Sequence, residues 1–549
     1  MNYTLIDFPM MKRLQIGAVL GLAMLLGCQG GQKSCGQAFR DWGKTPAERL
    51  AEDLNAVFAT RQSATLAARV VDLQTGEELF AENPDEAVIP ASNGKLAISA
   101  AGLDLFGPYH TFKTYLIVNG DDLWIVGTGD PGTGDPRLAE SRGRQVTSVF
   151  DDWANALRRR GVSRVRGKLY YWDRALDDQW LHPNWKTSFH VDWYAAPVSG
   201  LNFNDNCIDV TAYPTDSGQP ARLEVVPPNT FAVVENRAVT GGDGSIEITR
   251  EAAAPKFTAK GGISRRAKYE SKPITDPGAF FADAFRTHLG AAGIPIEGQT
   301  VRADTLPFGP AGPNVERIVA VHETSMPDVL RRINKNSQNL FAEALSKAMG
   351  REFALRRDGQ SVPGSWALGE EATKDFLSRH HINATEYVAA DGSGLARENR
   401  VTARLITDLL QVMWRHPYGK VWRDSLAVGG VDGTIRNRQK DFPGRIFAKT
   451  GYIGGVRSLS GYAQAEGGRW LAFSFIFNDI EGDVKPFEKL QDDAAWTLIH
   501  FPDRAPPRVI AEAPTSQPAS TPTTQPSVQP SEAPAAPPVS PTTQPDAGG

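Results

Sequence analysis

Hydrophobic and polar residues predict regular structure at the start of the central part of this chain. Residues 65–73 and 78–82 are rich in strand-forming residues and are joined by a turn at Gly76. Residues 46–58, which precede them, favour a helix. The order predicted here is therefore helix, strand, strand.

A second strand-rich region lies towards the other end. Residues 445–450, 458–464 and 470–477 predict a meander of three strands, and residues 487–500 predict a closing helix. Strands from the two ends can then share one antiparallel sheet, which would bring the termini of the domain together. With helices between these regions, the pattern predicts an α+β fold.

The segment between the two regions changes character twice. The run after Ser92, as far as residue 106, is small and aliphatic on all sides, which predicts a buried helix. From about residue 113 to 271, short apolar runs between turns predict strands, with a helix over residues 146–160. Helical patterns return over residues 277–293 and 326–349. In chain order we expect a signal peptide (1–28), a tether (29–44), a discontinuous α+β domain (45–112 and 272–504) with one or two inserted, mainly β domains (113–271), and a tail (505–549).

The N-terminus has the pattern of an export signal. Lys12 and Arg13 precede an uncharged apolar stretch over residues 14–26, which is short for a membrane span. The stretch ends in Leu-Leu-Gly-Cys28, which resembles a bacterial lipobox, so Cys28 is predicted to be lipidated. Gln29 would then permit sorting to the outer membrane of a double-membraned host. An ordinary signal peptide or a short membrane anchor is the alternative.

The tail has a different composition from the rest of the chain. Residues 505–549 contain 12 prolines and no aromatic residue. Such a segment cannot bury enough apolar surface to offset the entropy of ordering it, so we expect disorder. A solvated spacer and a ligand for proline-binding domains are the two interpretations.

Composition and charge exclude several classes of function. The net charge is −4 and there is no long basic run, so a nucleic-acid partner is not expected. The three cysteines do not form a disulfide framework, although Cys35 and Cys207 could pair. No Cys/His spacing typical of zinc is present, and the adjacent His380 and His381 cannot both face one metal. We expect no metal and no cofactor.

The first motif with chemical meaning is Ser92-Asn93-Gly94-Lys95. A serine hydroxyl is a poor nucleophile unless a base takes its proton. Residues three apart lie on one face of a helix, so Lys95 can meet Ser92 and act as that base if burial or positive charge keeps it neutral. The alternative is a helix-capping serine with a solvated lysine.

Two further motifs follow. Ser337-Gln338-Asn339 can project two polar side chains from a turn, one to relay a proton and one to hold Lys95 or a substrate amide. The alternative for this motif is a serine that caps the next helix. Lys449-Thr450-Gly451 ends a strand, where a cation and a hydroxyl can bind a carboxylate and glycine allows a close backbone approach. The alternative here is an exposed strand end.

The order of these three motifs resembles that of the D-alanyl-D-alanine carboxypeptidase/endopeptidases, the class C low-molecular-mass penicillin-binding proteins. The resemblance covers about residues 45–502, and the 245 residues from Ser92 to Ser337 fit the inserted domains of this family. Supporting stretches are Pro90-Ala91-Ser92, Gly129-Asp130-Pro131, Ala196-Pro197-Val198-Ser199, Leu201-Asn202-Phe203-Asn204 and Asp391-Gly392-Ser393-Gly394-Leu395. The fold implied is that of penicillin-binding proteins and serine β-lactamases.

The resemblance also implies a role for each motif residue. Ser92 would be acylated, with Lys95 as its base, and Ser337 and Asn339 would transfer protons and orient groups. Lys449 and Thr450, beside Gly451, would bind the terminal carboxylate of the substrate. The remaining implied residues are Tyr452, whose N–H would form the oxyanion hole with that of Ser92, and Arg397 and Asp173, which would bind the diamino acid of a peptidoglycan stem peptide.

The function implied is a serine-type D-Ala-D-Ala carboxypeptidase and/or endopeptidase that acts on peptidoglycan stem peptides and is sensitive to β-lactams. The enzyme would be periplasmic and tethered to a membrane by lipid on Cys28. Two alternatives are a serine β-lactamase on the same fold and a non-catalytic peptidoglycan-binding lipoprotein. The sequence predicts no oligomeric state.

Overall fold

Strands from the two ends of the folded chain lie side by side in one six-stranded sheet. The architecture is that of a computed structural model, which describes residue 41 and residues 43–242, 245–308 and 315–506. The predicted signal peptide with Cys28, most of the tether and nearly all of the tail lie outside the described residues.

The described elements follow the chain in this order. The helices are α1 Pro46–Ala59, α2 Lys95–Phe106, α3 Pro136–Ser141, α4 Ser148–Arg159, α5 Pro277–Ala291, α6 Met326–Asn334, α7 Asn339–Asp358, α8 Trp366–Arg379, α9 Ala403–Arg415, α10 Gly419–Asp424 and α11 Lys485–Ile499. The strands are β1 Thr65–Asp72, β2 Glu78–Glu82, β3 Thr111–Asn119, β4 Asp122–Gly127, β5 Leu169–Trp172, β6 Cys207–Tyr213, β7 Arg222–Val226, β8 Val233–Thr240, β9 Glu247–Arg250, β10 Lys256–Ile263, β11 Ala267–Lys268, β12 Lys272–Pro273, β13 Thr300–Arg302, β14 Ile318–Ser325, β15 Ala427–Val428, β16 Ile446–Ile453, β17 Val456–Gln464 and β18 Trp470–Asn478.

The main sheet has the order β15-β16-β17-β18-β1-β2. β1 pairs antiparallel with β18, with Val70 opposite Phe473, so the predicted sharing of a sheet by both ends is confirmed. Side chains alternate between two cores: Ala472 and Ile476 face the helices that include α2, α7 and α9, whereas Phe473 packs with α1 and α11 on the other face. Because both faces are covered, β1 and β18 are buried along almost their whole length, and the α+β prediction is confirmed.

Helix α2 is buried on all sides, as its small and aliphatic residues predict. It approaches α7 closely at Gly102, because a Cβ atom there would lie 2.8 Å from Cδ2 of Leu345. This contact sets the spacing of two helices that both carry motif residues.

The segment after residue 106 builds a second hydrophobic core. A five-stranded sheet of order β13-β5-β4-β3-β14 packs with α4 and α5 around residues such as Phe150 and Phe281. The strands predicted near residues 123, 169 and 223 are present. β13 and β14 pair with β5 and β3, so the sheet continues past residue 271. The division into domains stays a prediction.

The helical pattern over residues 326–349 is two helices rather than one. α6 ends at Asn334 and α7 begins at Asn339, and between them Ser337 has a φ of +58°. A left-handed residue interrupts the helical hydrogen bonds, so the turn projects its side chains away from both helix axes. Among the described residues, no helix combines the length and the apolar character needed to cross a membrane.

The close contact between α2 and α7 can be tested with Gly102→Val. Overpacking a full core typically costs about 1–3 kcal/mol, so we expect the free energy of unfolding to fall by that amount. The control is Gly290→Val on α5, where a Cβ would meet nothing within 4 Å. Urea unfolding followed by circular dichroism measures both, and equal stability of the two variants would contradict the close packing.

Candidate active site

The Ser92 turn sits directly before α2. Residues Ala91–Gly94 form a short 3₁₀ helix, and Lys95 is the first residue of α2. In 3₁₀ geometry residues three apart are eclipsed. Nζ of Lys95 therefore lies 2.9 Å from Oγ of Ser92, and Lys95 is fully buried while Ser92 remains partly exposed.

Lys95 has two further hydrogen-bond partners, and each presents an oxygen atom that can only accept. Its Nζ donates to Oδ1 of Asn339 at 2.7 Å and to the carbonyl of Ser393 at 2.7 Å. A neutral lysine has two N–H bonds and one lone pair. With both N–H bonds directed at Asn339 and Ser393, the lone pair faces Ser92.

The charge state of Lys95 follows from its surroundings. Burial lowers the pKa of Lys95 to about 8, while the carboxyl groups of Glu343 and Asp391 raise it. A substantial fraction of Lys95 is therefore neutral near physiological pH, which a surface lysine is not.

The second motif lies against the third. Nζ of Lys449 donates to Oγ of Ser337 at 2.8 Å and to the carbonyl of Thr450 at 2.7 Å. Burial and the positive charge of Lys95 hold the pKa of Lys449 well below its usual value. The hydroxyl of Ser337 thus lies beside a lysine whose charged form is disfavoured by burial and by Lys95.

Asn339 links Lys95 to the segment that is predicted to be inserted. Its Oδ1 faces Lys95, and its Nδ2 donates to the carbonyl of Tyr194 at 2.7 Å. Because both ends of the amide are occupied, its orientation is fixed.

Gln338, the middle residue of the second motif, turns away from Ser92. Its Nε2 donates to Oδ2 of Asp205 at 2.7 Å, and Arg332 also donates to that oxygen, at 3.0 Å. Asp205 lies in the inserted segment and has a φ of +54°. This contact anchors the Ser337 turn and was not predicted from the sequence.

Strand β16 approaches the Ser92 turn at Gly451. A Cβ at Gly451 would lie 2.9 Å from the carbonyl oxygen of Pro90 and 3.0 Å from the nitrogen of Ser92. Asn93 adds a hydrogen bond from Nδ2 to the carbonyl of Lys449 at 3.0 Å. The glycine was expected to admit the substrate backbone, and in the structure it also admits the turn that carries Ser92.

Three of the remaining residues implied for substrate binding lie near the end of β16. Thr450 is partly exposed and its Oγ1 donates to Oγ1 of Thr434 at 2.8 Å. Tyr452 is exposed on β16. Arg397 is exposed and donates to the carbonyl of Gly454 at 2.7 Å, just beyond Tyr452. These residues border the same strand end.

Asp173 is not brought to this strand end with a free carboxylate. It is buried; Oδ1 accepts from Nε of Arg302 at 2.9 Å, and Oδ2 accepts from Oγ of Ser199 at 3.1 Å. A carboxylate with no exposed surface and with both oxygens occupied cannot take the amino group of a substrate. The expectation for Asp173 is therefore corrected, and we leave it out of the proposed site.

Two acidic residues near Lys95 were missed. Glu343 is buried one turn after Asn339 on α7, and Asp391 is buried in the loop that supplies the Ser393 carbonyl. The sequence held one signal for Glu343: it is a lone acid in the apolar run from Leu340 to Leu345. Buried charges of this kind are rarely without a partner.

Among the described residues, one group of His, Cys, Asp or Glu has a spacing that could hold a metal, namely Asp104, His380 and His416. The backbone N–H of Tyr418 donates to Nδ1 of His416 at 3.1 Å, so Nε2 of that neutral ring carries the proton and donates to Asp104 at 3.1 Å. Arg379 also donates to Asp104, at 2.9 Å. These hydrogen bonds occupy ligand atoms of Asp104 and His416, whereas Nε2 of His380 is buried without a hydrogen-bond partner among the described residues.

Comparison with known proteins identifies relatives over most of the chain. The D-Ala-D-Ala carboxypeptidase 3 (S13) family profile matches residues 50–497. A D-alanyl-D-alanine carboxypeptidase of an Actinomadura species is 30% identical over 462 residues, which are 79% of this chain and 81% of the relative. D-alanyl-D-alanine carboxypeptidase DacB of Haemophilus influenzae is 24% identical and covers 72% of this chain and 82% of its own. The crystal structure of penicillin binding protein 4 from Haemophilus influenzae has the same fold, with a TM-score of 0.66 at 19% identity over 82% of this chain and 99% of the other.

The structural role of Asp173 predicts a loss of stability when its carboxylate is removed. Breaking a buried ion pair typically costs about 3–5 kcal/mol, and Arg302 keeps a second partner in Asp178, so we expect Asp173→Ala to lower the free energy of unfolding by about 2–4 kcal/mol. The control is Asp304→Ala, which removes an exposed partner of Arg174 and should cost under about 1 kcal/mol. Urea unfolding of both variants makes the comparison, and an Asp173 variant as stable as the control would return Asp173 to the site candidates.

Proposed function

The chain belongs to the D-Ala-D-Ala carboxypeptidase 3 (S13) family, and from that premise we propose that it hydrolyses peptidoglycan stem peptides through an acyl-enzyme on Ser92. It is a serine-type hydrolase of that family, and family membership favours the peptidase over the β-lactamase and the non-catalytic binding protein. The observation that supports the role of Ser92 is the hydrogen-bond set of Lys95, which leaves its lone pair for the Ser92 hydroxyl.

Acylation begins with a proton transfer. Neutral Lys95 takes the proton of Ser92, and Oγ attacks the carbonyl carbon of the scissile bond. The developing oxyanion is placed between the N–H groups of Ser92 and Tyr452, the pair that the family resemblance implies. The close approach of β16 to the Ser92 nitrogen at Gly451 supports this assignment.

The second half of acylation releases the leaving amine. As the carbon–nitrogen bond breaks, the hydroxyl of Ser337 gives its proton to the amine nitrogen and is reprotonated from Lys449, 2.8 Å away. Water then attacks the ester carbonyl and gives a proton through Ser337 to Lys449, which replaces the proton lost in acylation, while Lys95 returns its proton to Oγ of Ser92 as the ester bond breaks.

Substrate recognition uses the same end of β16. The terminal carboxylate accepts hydrogen bonds from Lys449 and Thr450, and its charge compensates that of the buried lysine. Arg397, beside Gly454, is placed to meet a second carboxylate, that of the stem diamino acid.

The inserted segment forms one wall of this cleft in our proposal. The carbonyl of Tyr194 holds Asn339, Asp205 holds Gln338, and Nε1 of Trp185 donates to Asp391 at 2.8 Å. Two of these contacts reach the Ser337-Gln338-Asn339 motif and one reaches the Asp391 loop, which supports a role in placing bulky cell-wall peptides.

We also propose that the protein is exported and tethered by lipid on Cys28. The apolar stretch that ends in Leu-Leu-Gly-Cys28 supports this, and those residues lie outside the described part of the chain. The relatives act on a cell-wall bond, which is consistent with export.

Penicillin should form a covalent adduct on Ser92, because a β-lactam presents a reactive carbonyl to the same nucleophile. We expect one penicillin per protein by intact mass, and the modified peptide should contain Ser92. Ser92→Ala should abolish the adduct, whereas Ser163→Ala at an exposed position should not. An adduct on another residue would refute the assignment.

The acylation rate should rise with pH. Only unprotonated Lys95 can accept the proton, and its pKa is about 8, so the rate should climb through that pH and then level off. General-base catalysis is worth about 10²–10⁴-fold, so Lys95→Ala should lose that factor and the pH step with it. Stopped-flow acylation with a fluorescent penicillin provides the profile, with the exposed Lys374→Ala as control. A pH-independent rate in the unmodified protein would rule out Lys95 as the base.

A further inference from the structure

Glu343 accepts hydrogen bonds from three directions at the bottom of the site. Its Oε2 accepts from Nε1 of Trp366 at 2.7 Å and from the N–H of Gly392 at 2.7 Å, and its Oε1 accepts from the N–H of Ser393 at 3.0 Å. The side chain is fully buried. Because every partner is a donor, the site suits a carboxylate and not an amide, whose NH₂ group would face an N–H.

The backbone that Glu343 holds is the backbone that holds Lys95. Ser393 donates its N–H to Glu343, and its carbonyl accepts from Nζ of Lys95 at 2.7 Å. The other N–H of Lys95 goes to Asn339, one turn before Glu343 on α7. A single helix therefore sets both acceptors of the lysine, one directly and one through the Gly392–Ser393 peptide.

The loop between Glu343 and the Ser92 turn has little room to move. Asp391 accepts from the N–H groups of Gly394 and Ala396 at 2.7 and 2.6 Å, which closes the loop on itself. Gly394 has a φ of +82°, and a Cβ there would lie 1.9 Å from the carbonyl oxygen of Ala91. The loop is thus clamped between Glu343 on one side and the nucleophile turn on the other.

We propose that Glu343 is a positioning residue for Lys95: it holds the Gly392–Ser393 peptide so that the lone pair of the lysine faces Ser92, and it places a negative charge beside that lysine. The inference rests on the proposed function, because it assigns Glu343 to the acylation of Ser92 by Lys95.

The charges around Glu343 give this role a measurable consequence. Burial and the nearby Asp391 raise the pKa of Glu343 to about 7. Three charged groups face Glu343: Asp391 from the loop, Lys95 from α2 and Lys347 from its own helix. Beyond them, Lys449 lies near Lys95, and His182 packs against Trp366. Lys347 is itself paired with Asp177 at 2.6 Å. Glu343 and Asp391 are the groups that raise the pKa of Lys95 against the effect of burial.

Removing the charge of Glu343 should therefore shift the pH profile of acylation. Without this negative charge the pKa of Lys95 falls, so the lysine loses its proton at lower pH. The pH at which the acylation rate rises (the limb of the profile) should therefore fall by about 1 unit. The lost grip on the Ser393 peptide should also lower the plateau rate, by about 10–100-fold, because misplaced catalytic groups cost that much. A purely structural loss would lower the amount of active protein and leave the limb where it was.

The experiment compares full-length protein with Glu343→Gln, Glu343→Asp and Asp72→Asn, using penicillin acylation rates from about pH 6 to 10. For Glu343→Gln, the acylation rate should rise at lower pH and reach a lower plateau. Glu343→Asp keeps the charge on a shorter side chain, so its plateau should fall while its limb stays. Asp72→Asn removes another buried carboxylate, paired with Arg469 in the main sheet, and should leave both limb and plateau per active molecule unchanged.

Each outcome decides the proposal. The proposal is overturned if the acylation rate of Glu343→Gln rises over the same pH range as that of the unmodified protein. It is also overturned if Glu343→Asp has the same plateau rate as the unmodified protein, and this second test remains available if the glutamine variant does not fold. If the unmodified protein is labelled at Ser92, such a result refutes the role of Glu343 alone. If the unmodified protein is not labelled there, the proposed function fails, and the role of Glu343 fails with it.

Discussion

The burial of two lysines within one cleft is the constraint around which this protein is arranged. Lys95 and Lys449 are both fully buried, and the positive charge of Lys95 adds to burial in lowering the pKa of Lys449. An unpaired ammonium away from water is costly, and the group responds by becoming neutral. A neutral lysine can act as a base, so the burial of Lys95 is what allows the role that we propose for it. The acceptors around it, from α7 and from the loop at Ser393, prevent the neutral lysine from turning away from Ser92.

The fold has to bring distant parts of the chain within hydrogen-bond distance of these two lysines. Lys95 meets Asn339 across 244 residues, and Lys449 meets Ser337 across 112. The main sheet provides the fixed reference, because β16 lies in it and β1 and β18 tie the two chain ends together. Close approaches at Gly102, Gly394 and Gly451 then set the separations of α2, the loop and β16. A side chain at any of these positions would move a catalytic group.

The inserted segment is part of this arrangement and not an addition on its outside. Tyr194 and Asp205 contact the Ser337-Gln338-Asn339 motif, and Trp185 contacts the Asp391 loop. A contact through a backbone carbonyl, as at Tyr194, leaves no trace in side-chain identity. A change of the insert that moves its backbone would therefore alter the orientation of Asn339 and, through it, that of Lys95.

The sequence by itself determined the local structure and the identity of the central residues. Three signals act within a few residues, so the sequence shows them directly: the strand-forming residues at 65–73 and 470–477, the uniformly apolar run after Lys95, and the spacing of Ser92 and Lys95. Only the tertiary structure decided which acids surround the lysine. Asp173 follows a strand as a site residue would, yet Arg302, 129 residues away, neutralises it in the core. Glu343 looks like an isolated acid in a helix, yet it lies under the loop at Gly392, 49 residues away. Residues so far apart in the sequence meet only through the packing of whole helices and strands. That packing determines whether a buried carboxylate pairs with an arginine of the core, as Asp173 does, or lies beside Lys95, as Glu343 does.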